Sequence, residues 1–198
     1  LYCYLRYERG KYAEFIPFCA NKLQRLIVPY VFVSLFWVIP FSVFFFDLSI
    51  RDILVKYVLA TSPSQLWFLW MLFDVFLLAW IVSDKLYTSN KFAISITVLL
   101  LLIGLAGSNL LPNIFCIWTA CRYFIYFIVG FKFRQYGLGT VKRINHVWWI
   151  LFFVLSYSLM IYVGGFSGVA AKFFKVVLSI VASTTGAIMA FVVLMKFA

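Results

Sequence analysis

Two charges stand where lipid would oppose them. Asp74 lies inside the apolar run 66–82, and Arg122 inside the apolar run 114–131. A charged side chain at bilayer depth is costly, turns toward the interior of a helix bundle or a cavity, and marks a candidate working site. Asp74 is eight residues inward from Leu66, and Arg122 is eight inward from Ile114. Both therefore sit about 12 Å below the same membrane face, at 1.5 Å per helical residue. Equal depth and opposite charge predict an ion pair. Such a pair serves either as structural glue, since buried charges survive when partnered, or as the lining of a substrate cavity. The residues leave both roles open.

A second constellation precedes the first apolar run. Over Phe15–Leu26, successive helical residues turn by about 100°. Phe15, Phe18, Cys19 and Leu26 then share one broad face, with Ala20, Asn21 and Gln24 opposite. Lys22 and Arg25 are one turn apart on the side of Phe18, so the wheel predicts that they point into the bundle. Two cations at a membrane edge suit the phosphate groups of a donor molecule, Arg by forked contacts and Lys as a point charge. The alternative is a pair of headgroup anchors. A third candidate is Gln65-Leu66-Trp67-Phe68-Leu69-Trp70. Trp67 and Trp70 read either as an interfacial aromatic belt or as substrate-facing rings that stack on sugars.

Other residues read more plainly. Cys3, Cys19, Cys116 and Cys121 form no paired metal spacing and suit apolar packing. The single histidine, His146, falls in a polar connector, and one histidine makes no metal site; no metal is expected. Gly137-Leu138-Gly139 lacks the third glycine and the preceding strand of a phosphate-cradling loop. Gly164-Gly165-Phe166-Ser167-Gly168 reads as a flexible loop.

Composition decides what must position these groups. The chain of 198 residues is 66% hydrophobic, 22% aromatic and 12% charged, whereas a soluble domain is about 45–50% apolar and about 25% charged. No water-soluble core hides so much apolar surface, so the solvent is lipid. Spans of roughly 17–25 apolar residues are expected, and six fit: Leu26–Phe46, Leu66–Val82, Phe92–Leu111, Ile114–Phe131, Val147–Val163 and Val169–Met195. Unbroken runs such as Leu99–Ile103 exclude the alternation of a β-barrel. Pro29 and Pro40 predict kinks in the first span, and Lys172 and Lys175 snorkel at the start of the last. The fold class is therefore all-α, a polytopic transmembrane helix bundle in one domain over residues 1–198.

Loop charge gives the orientation. Arg6, Arg9, Lys11, Lys22, Arg25, Lys85, Lys91, Lys132, Arg134, Lys142, Arg143 and Lys196 fall on one side; Arg51, Lys56, Lys172 and Lys175 fall on the other. Basic loops stay inside, so the N-terminal segment is expected on the cytoplasmic face. The net charge of +11 follows from this bias and from attraction to anionic lipid. It forms no single stripe, so nucleic acid is not an expected partner. Oligomeric state is not legible.

Asn21-Lys22-Leu23-Gln24-Arg25-Leu26-Ile27-Val28-Pro29-Tyr30 resembles the acyltransferase-3 family, in which a basic Arg-x-x-Arg-Leu-x-x-Pro stretch opens the third transmembrane helix. Leu66-Trp67-Phe68-Leu69 with Leu72-Phe73 resembles a later family signature. Arg122-Tyr123-Phe124-Ile125-Tyr126-Phe127-Ile128-Val129-Gly130-Phe131 is similar to another. The resemblance implies a fragment, the third to eighth helices, of a bundle of roughly ten. It implies transfer of an acyl group, usually acetyl from acetyl-CoA, across the bacterial inner membrane to a sugar of a surface polysaccharide or lipid-linked glycan. Lys22 and Arg25 would bind the CoA donor, and no other cofactor is implied. Lys22 stands where the family usually has Arg, which weakens a forked contact. The family's catalytic histidine lies in its first helix and His146 does not match it, so the chain is expected to lack the general base and to be inactive alone. A glycan transporter or flippase with Asp74 and Arg122 as gating charges, and a passive membrane scaffold, remain as alternatives.

Overall fold

The structure is a computed structural model that describes residues 14–47, 49–132, 146–165 and 169–197, with the side chains at 64, 146, 169–173 and 191–197 left aside. Outside the described residues lie Cys3, Arg6, Arg9, Lys11, Arg134, Gly137-Leu138-Gly139, Lys142, Arg143 and Phe166-Ser167-Gly168. The side chains of His146, Lys172 and Lys196 lie outside them too.

Among the described residues every regular element is helical. Helix α1 is one rod, Phe15–Phe46. A short α2 covers Ile50–Ile53 and continues through the turn Leu54–Val58. Then come α3, Trp67–Thr88, and α4, Asn90–Leu110. Helix α5, Ile117–Lys132, follows a tight turn at Ile114–Cys116. Helices α6, His146–Gly164, and α7, Val169–Phe197, complete the chain. Among the described residues five helices, α1 and α3–α6, are long and apolar enough to cross a bilayer. The expected sixth span is a helix as well, but its described apolar stretch, Phe174–Ala190, is shorter. The chain forms two compact units, 1–131 and 132–198.

In α1 the expected membrane-edge segment and the expected first span are the same helix. Its 32 residues make a rod of about 48 Å, longer than the roughly 30 Å hydrocarbon core. Counted from Phe46, the far boundary falls near Arg25 and Lys22. The prolines do not break the rod. Each follows a widened π-helical turn, Leu23–Ile27 before Pro29 and Ser34–Val38 before Pro40. Proline removes one N–H and crowds the preceding turn; an extra residue in that turn relieves the clash.

Unit 1 builds its core from α3, α4 and α5. Met71, Val75, Ala79 and Leu86 of α3 pack with Ala93 of α4 and with Ala120, Phe124, Ile128 and Phe131 of α5. Helices α4 and α5 approach closely because glycine lets them. A Cβ on Gly107 would lie 2.4 Å from the Trp118 ring. A Cβ on Gly104 would lie 2.7 Å from Arg122 Cγ and 2.8 Å from the Trp118 carbonyl oxygen. Unit 2 is the α6–α7 pair. There Gly186 receives Phe153, and the Ser156 and Thr185 hydroxyls meet at 3.4 Å.

The connection between α1 and α3 folds back on the helices. Ser49 caps α2: its hydroxyl accepts from the Asp52 N–H at 3.2 Å and donates to Asp52 Oδ2 at 2.8 Å. That hydrogen bond holds the Asp52 carboxyl below the usual carboxylate range. Tyr57 then turns inward, where Tyr30 donates to its carbonyl at 2.6 Å and Ser42 meets its hydroxyl at 3.3 Å.

Overpacking a tight helix contact costs about 1–3 kcal/mol. Gly107→Val is therefore expected to lower the thermal unfolding midpoint in detergent, and Trp118→Leu in the same chain to recover part of the loss. An unchanged midpoint in the single variant would show that α4 and α5 do not touch there.

Candidate functional site at the two ends of the first unit

At the end of the bundle where α1 begins, Lys22 is buried, 3% exposed. Its Nζ sits 4.0 Å from the Phe76 ring centroid and 5.6 Å from that of Phe18. Cations bind aromatic faces at such distances. Trp80 closes the same corner, 4.8 Å from Phe15 and 6.4 Å from Phe18 between ring centroids. Lys22 thus enters the bundle as the helical wheel predicts. Arg25 does not: it is exposed. The π-helical turn at Leu23–Ile27 is the cause. It adds a residue to the turn, so the next buried position after Lys22 is Ile27, five residues on, and Arg25 rotates outward.

The other end holds a cavity of about 370 Å³. The returning connection contributes Thr61 and Ser62, and α3 contributes Trp67. Asn113 and Cys116 come from the entry to α5; Thr119, Arg122 and Tyr123 come from α5 itself. Helical spacing puts Thr119, Arg122 and Tyr123 on one face. The Trp67 and Tyr123 rings stand 5.6 Å apart between centroids and form an aromatic wall.

Two devices fix this lining. Asn113 caps the entry to α5: its Oδ1 accepts from the Trp118 N–H at 3.1 Å, and its Nδ2 donates to Thr119 Oγ1 at 2.8 Å. The second device is a pinned, strained junction. The Phe115 N–H donates to the Leu59 carbonyl at 2.8 Å, and the Cys116 thiol to the Ala60 carbonyl at 3.2 Å. Ala60, Phe115 and Cys116 have φ of 48°, 52° and 60°, a left-handed conformation that costs of order 1–3 kcal/mol per residue and clusters at working sites.

The structure does not join Asp74 to Arg122. No ion pair links them among the described residues, and Asp74 Oδ2 is buried with no hydrogen-bond partner there. Equal depth was insufficient, because Gly104 seats Arg122 against α4 and the cavity. Trp67 lines the cavity, but Trp70 does not. It packs on Tyr30 and Phe115, with centroids 5.6 and 4.9 Å away. Sequence reasoning missed Thr61, Ser62, Asn113, Thr119 and Tyr123. The available signal was polar residues beside Pro63 and Pro112 at the ends of apolar runs. Cys116 and Cys121 are buried, free thiols, and Cys19 is free and half-buried.

A family profile described as an acyltransferase domain matches residues 1–198. The chain belongs to that family, acyltransferase-3, and its apolar helices fit an integral membrane acyltransferase. No curated protein and no solved structure matches the chain.

Removing the α5 cap tests the cavity's construction. Asn113→Ala is expected to lower stability by about 1–2 kcal/mol, the range for a lost N-cap, measured by reversible unfolding in detergent. Full stability in that variant would show that Asn113 does not hold the entry to α5.

Proposed function

We propose that this member of the acyltransferase-3 family is an integral membrane O-acyltransferase of the bacterial inner membrane. It transfers an acyl group, acetyl in the simplest case, from acyl-CoA to a hydroxyl of a cell-surface or lipid-linked sugar. The observation that carries the reading is the polar cavity around Arg122, Thr119 and Trp67, at the end of the bundle opposite the Lys22–Arg25 corner. Hydroxyl groups, a guanidinium and aromatic rings are what a sugar site uses, with polar groups fixing orientation and rings giving area. Arg25, exposed at the membrane boundary, is free to meet the phosphates of CoA from solution. Lys22 sits just behind it, buried on Phe76, and adds positive potential at that corner.

The excess of basic loop residues on the side of Arg25 supports its placement in the cytoplasm, where acyl-CoA is made. Trp67 serves the acceptor end, and Trp70 supports it by holding Phe115.

A second reading, transport of a glycan or small anion, has one observation in its favour. Asp74 Oδ2 is buried in a span with no hydrogen-bond partner among the described residues, and such carboxyls mark ion and proton paths.

Acyl transfer from labelled acetyl-CoA to a glycan acceptor, in membrane vesicles that carry the full-length protein, tests the first reading. Losing a charge-assisted hydrogen bond costs about 1.5–3 kcal/mol, so Arg25→Ala is expected to raise the KM for the donor roughly tenfold or more. Membrane insertion and the acceptor KM should not change. Trp67→Ala is expected to do the reverse, weakening the acceptor and sparing the donor. Unchanged donor KM in Arg25→Ala removes Arg25 from the donor site. Glycan movement without acylation, abolished by Asp74→Asn, would support the transport reading instead.

A further inference from the structure

Resting on that acceptor reading, we infer that the sugar bound at the Arg122 cavity carries an anionic group, a carboxylate or a phosphate, and that Arg122 holds it. Among the described residues Arg122 is the sole charged side chain in the lining, and no carboxylate lines the cavity with it. The guanidinium has no hydrogen bond or ion pair among the described residues, and Asp74, the acidic side chain at matching depth, does not reach it. Gly104 fixes where it stands: Arg122 Cγ occupies the notch that a Cβ there would fill. The rigid fork of five donors matches a carboxylate or phosphate edge, which a neutral hydroxyl cannot do.

The neighbouring polar groups are already sorted into donors and acceptors. Thr119 Oγ1 accepts from Asn113, which leaves its hydroxyl proton to donate into the cavity. Asn113 is held in place by a bond at each amide atom, which leaves its second N–H to add a further donor to the lining. Thr61 donates to the Val55 carbonyl at 2.8 Å, which leaves its oxygen to accept from a sugar hydroxyl. Arg122 and Thr119 thus form a donor-rich corner for the oxyanion, while Thr61 and the Trp67 ring suit the sugar's hydroxyls and its apolar face. The charge is what the cavity reads, and the ring is what it orients.

The test is isothermal titration calorimetry on the chain in phosphatidylcholine nanodiscs, with methyl glucuronide, glucose 1-phosphate, neutral methyl glucoside and inorganic phosphate as probes. One or both charged sugars are expected to bind at least roughly tenfold more tightly than methyl glucoside, the worth of one charge-assisted contact. Which one is tighter separates carboxylate from phosphate. Arg122→Gln is expected to erase the preference, and Arg122→Lys to keep part of it, with both variants eluting as the wild type does. Inorganic phosphate binding as tightly as glucose 1-phosphate would overturn the inference. So would loss of sugar binding when phosphatidylglycerol enters the disc, since a lipid headgroup then occupies the site. Neutral and charged sugars binding alike, or a preference that survives Arg122→Gln, would overturn it and leave the acceptor reading standing. Binding of no sugar at all would overturn both.

Discussion

Lipid gives no hydrogen bonds, and that one constraint arranges this chain. Many polar side chains within the spans turn inward, and many large apolar ones turn out to the lipid. Lys22, Ser34, Ser42, Ser83 and Thr97 are buried, while Phe44 is 83% exposed and Trp37 74%. In water this pattern would be inverted. Thr97 donates to its own backbone, to the Ala93 carbonyl at 2.7 Å, and Ser42 instead meets the Tyr57 hydroxyl. Where the chain leaves helical geometry at a membrane end, it is pinned by other backbone, as Leu59 pins Phe115.

The same constraint explains why the two candidate ends are built so differently. The Lys22 corner is aromatic: an ammonium inside a bundle is stabilised by ring faces, here Phe76 and Phe18. The Arg122 end is open and polar, and its geometry depends on a tight local contact between α4 and α5. Gly104 and Gly107 let Trp118 and Arg122 lie against α4. Trp118 is held further by its indole N–H, which donates to the Pro112 carbonyl at 3.1 Å. One tight contact thereby fixes both the entry to α5 and the guanidinium that faces the cavity. The strained residues Phe115 and Cys116 lie at this entry, so packing elsewhere in the unit holds them in place.

Much of this was legible in the residues. Composition alone required lipid as solvent, and the apolar runs located the long helices, although α1 begins at Phe15 and α3 runs on to Thr88, beyond the expected spans. The inward course of Lys22 followed from ordinary helical spacing. Arg25 did not, because a π-helical turn leaves no mark in a wheel drawn at constant pitch; Pro29, four residues on, was the clue that the turn would widen. Asp74 and Arg122 were matched in depth, but depth says nothing about rotation, and Gly104 decided the rotation. The cavity was hidden for a different reason. Thr61 and Thr119 are far apart in sequence, and only the return of the connection onto α5 brings them together. The missing side chains of Gly104 and Gly107 are what make the contact with α5 tight.

The central claim is that donor and acceptor meet the protein from opposite ends. Supplying them from opposite faces measures this most directly. In proteoliposomes that carry the full-length protein in one orientation, labelled acetyl-CoA is added to one face with the glycan confined to the other. The account expects acylated glycan only when the CoA faces the Lys22–Arg25 end. Product formed equally well with the donor on the Arg122 side would contradict it.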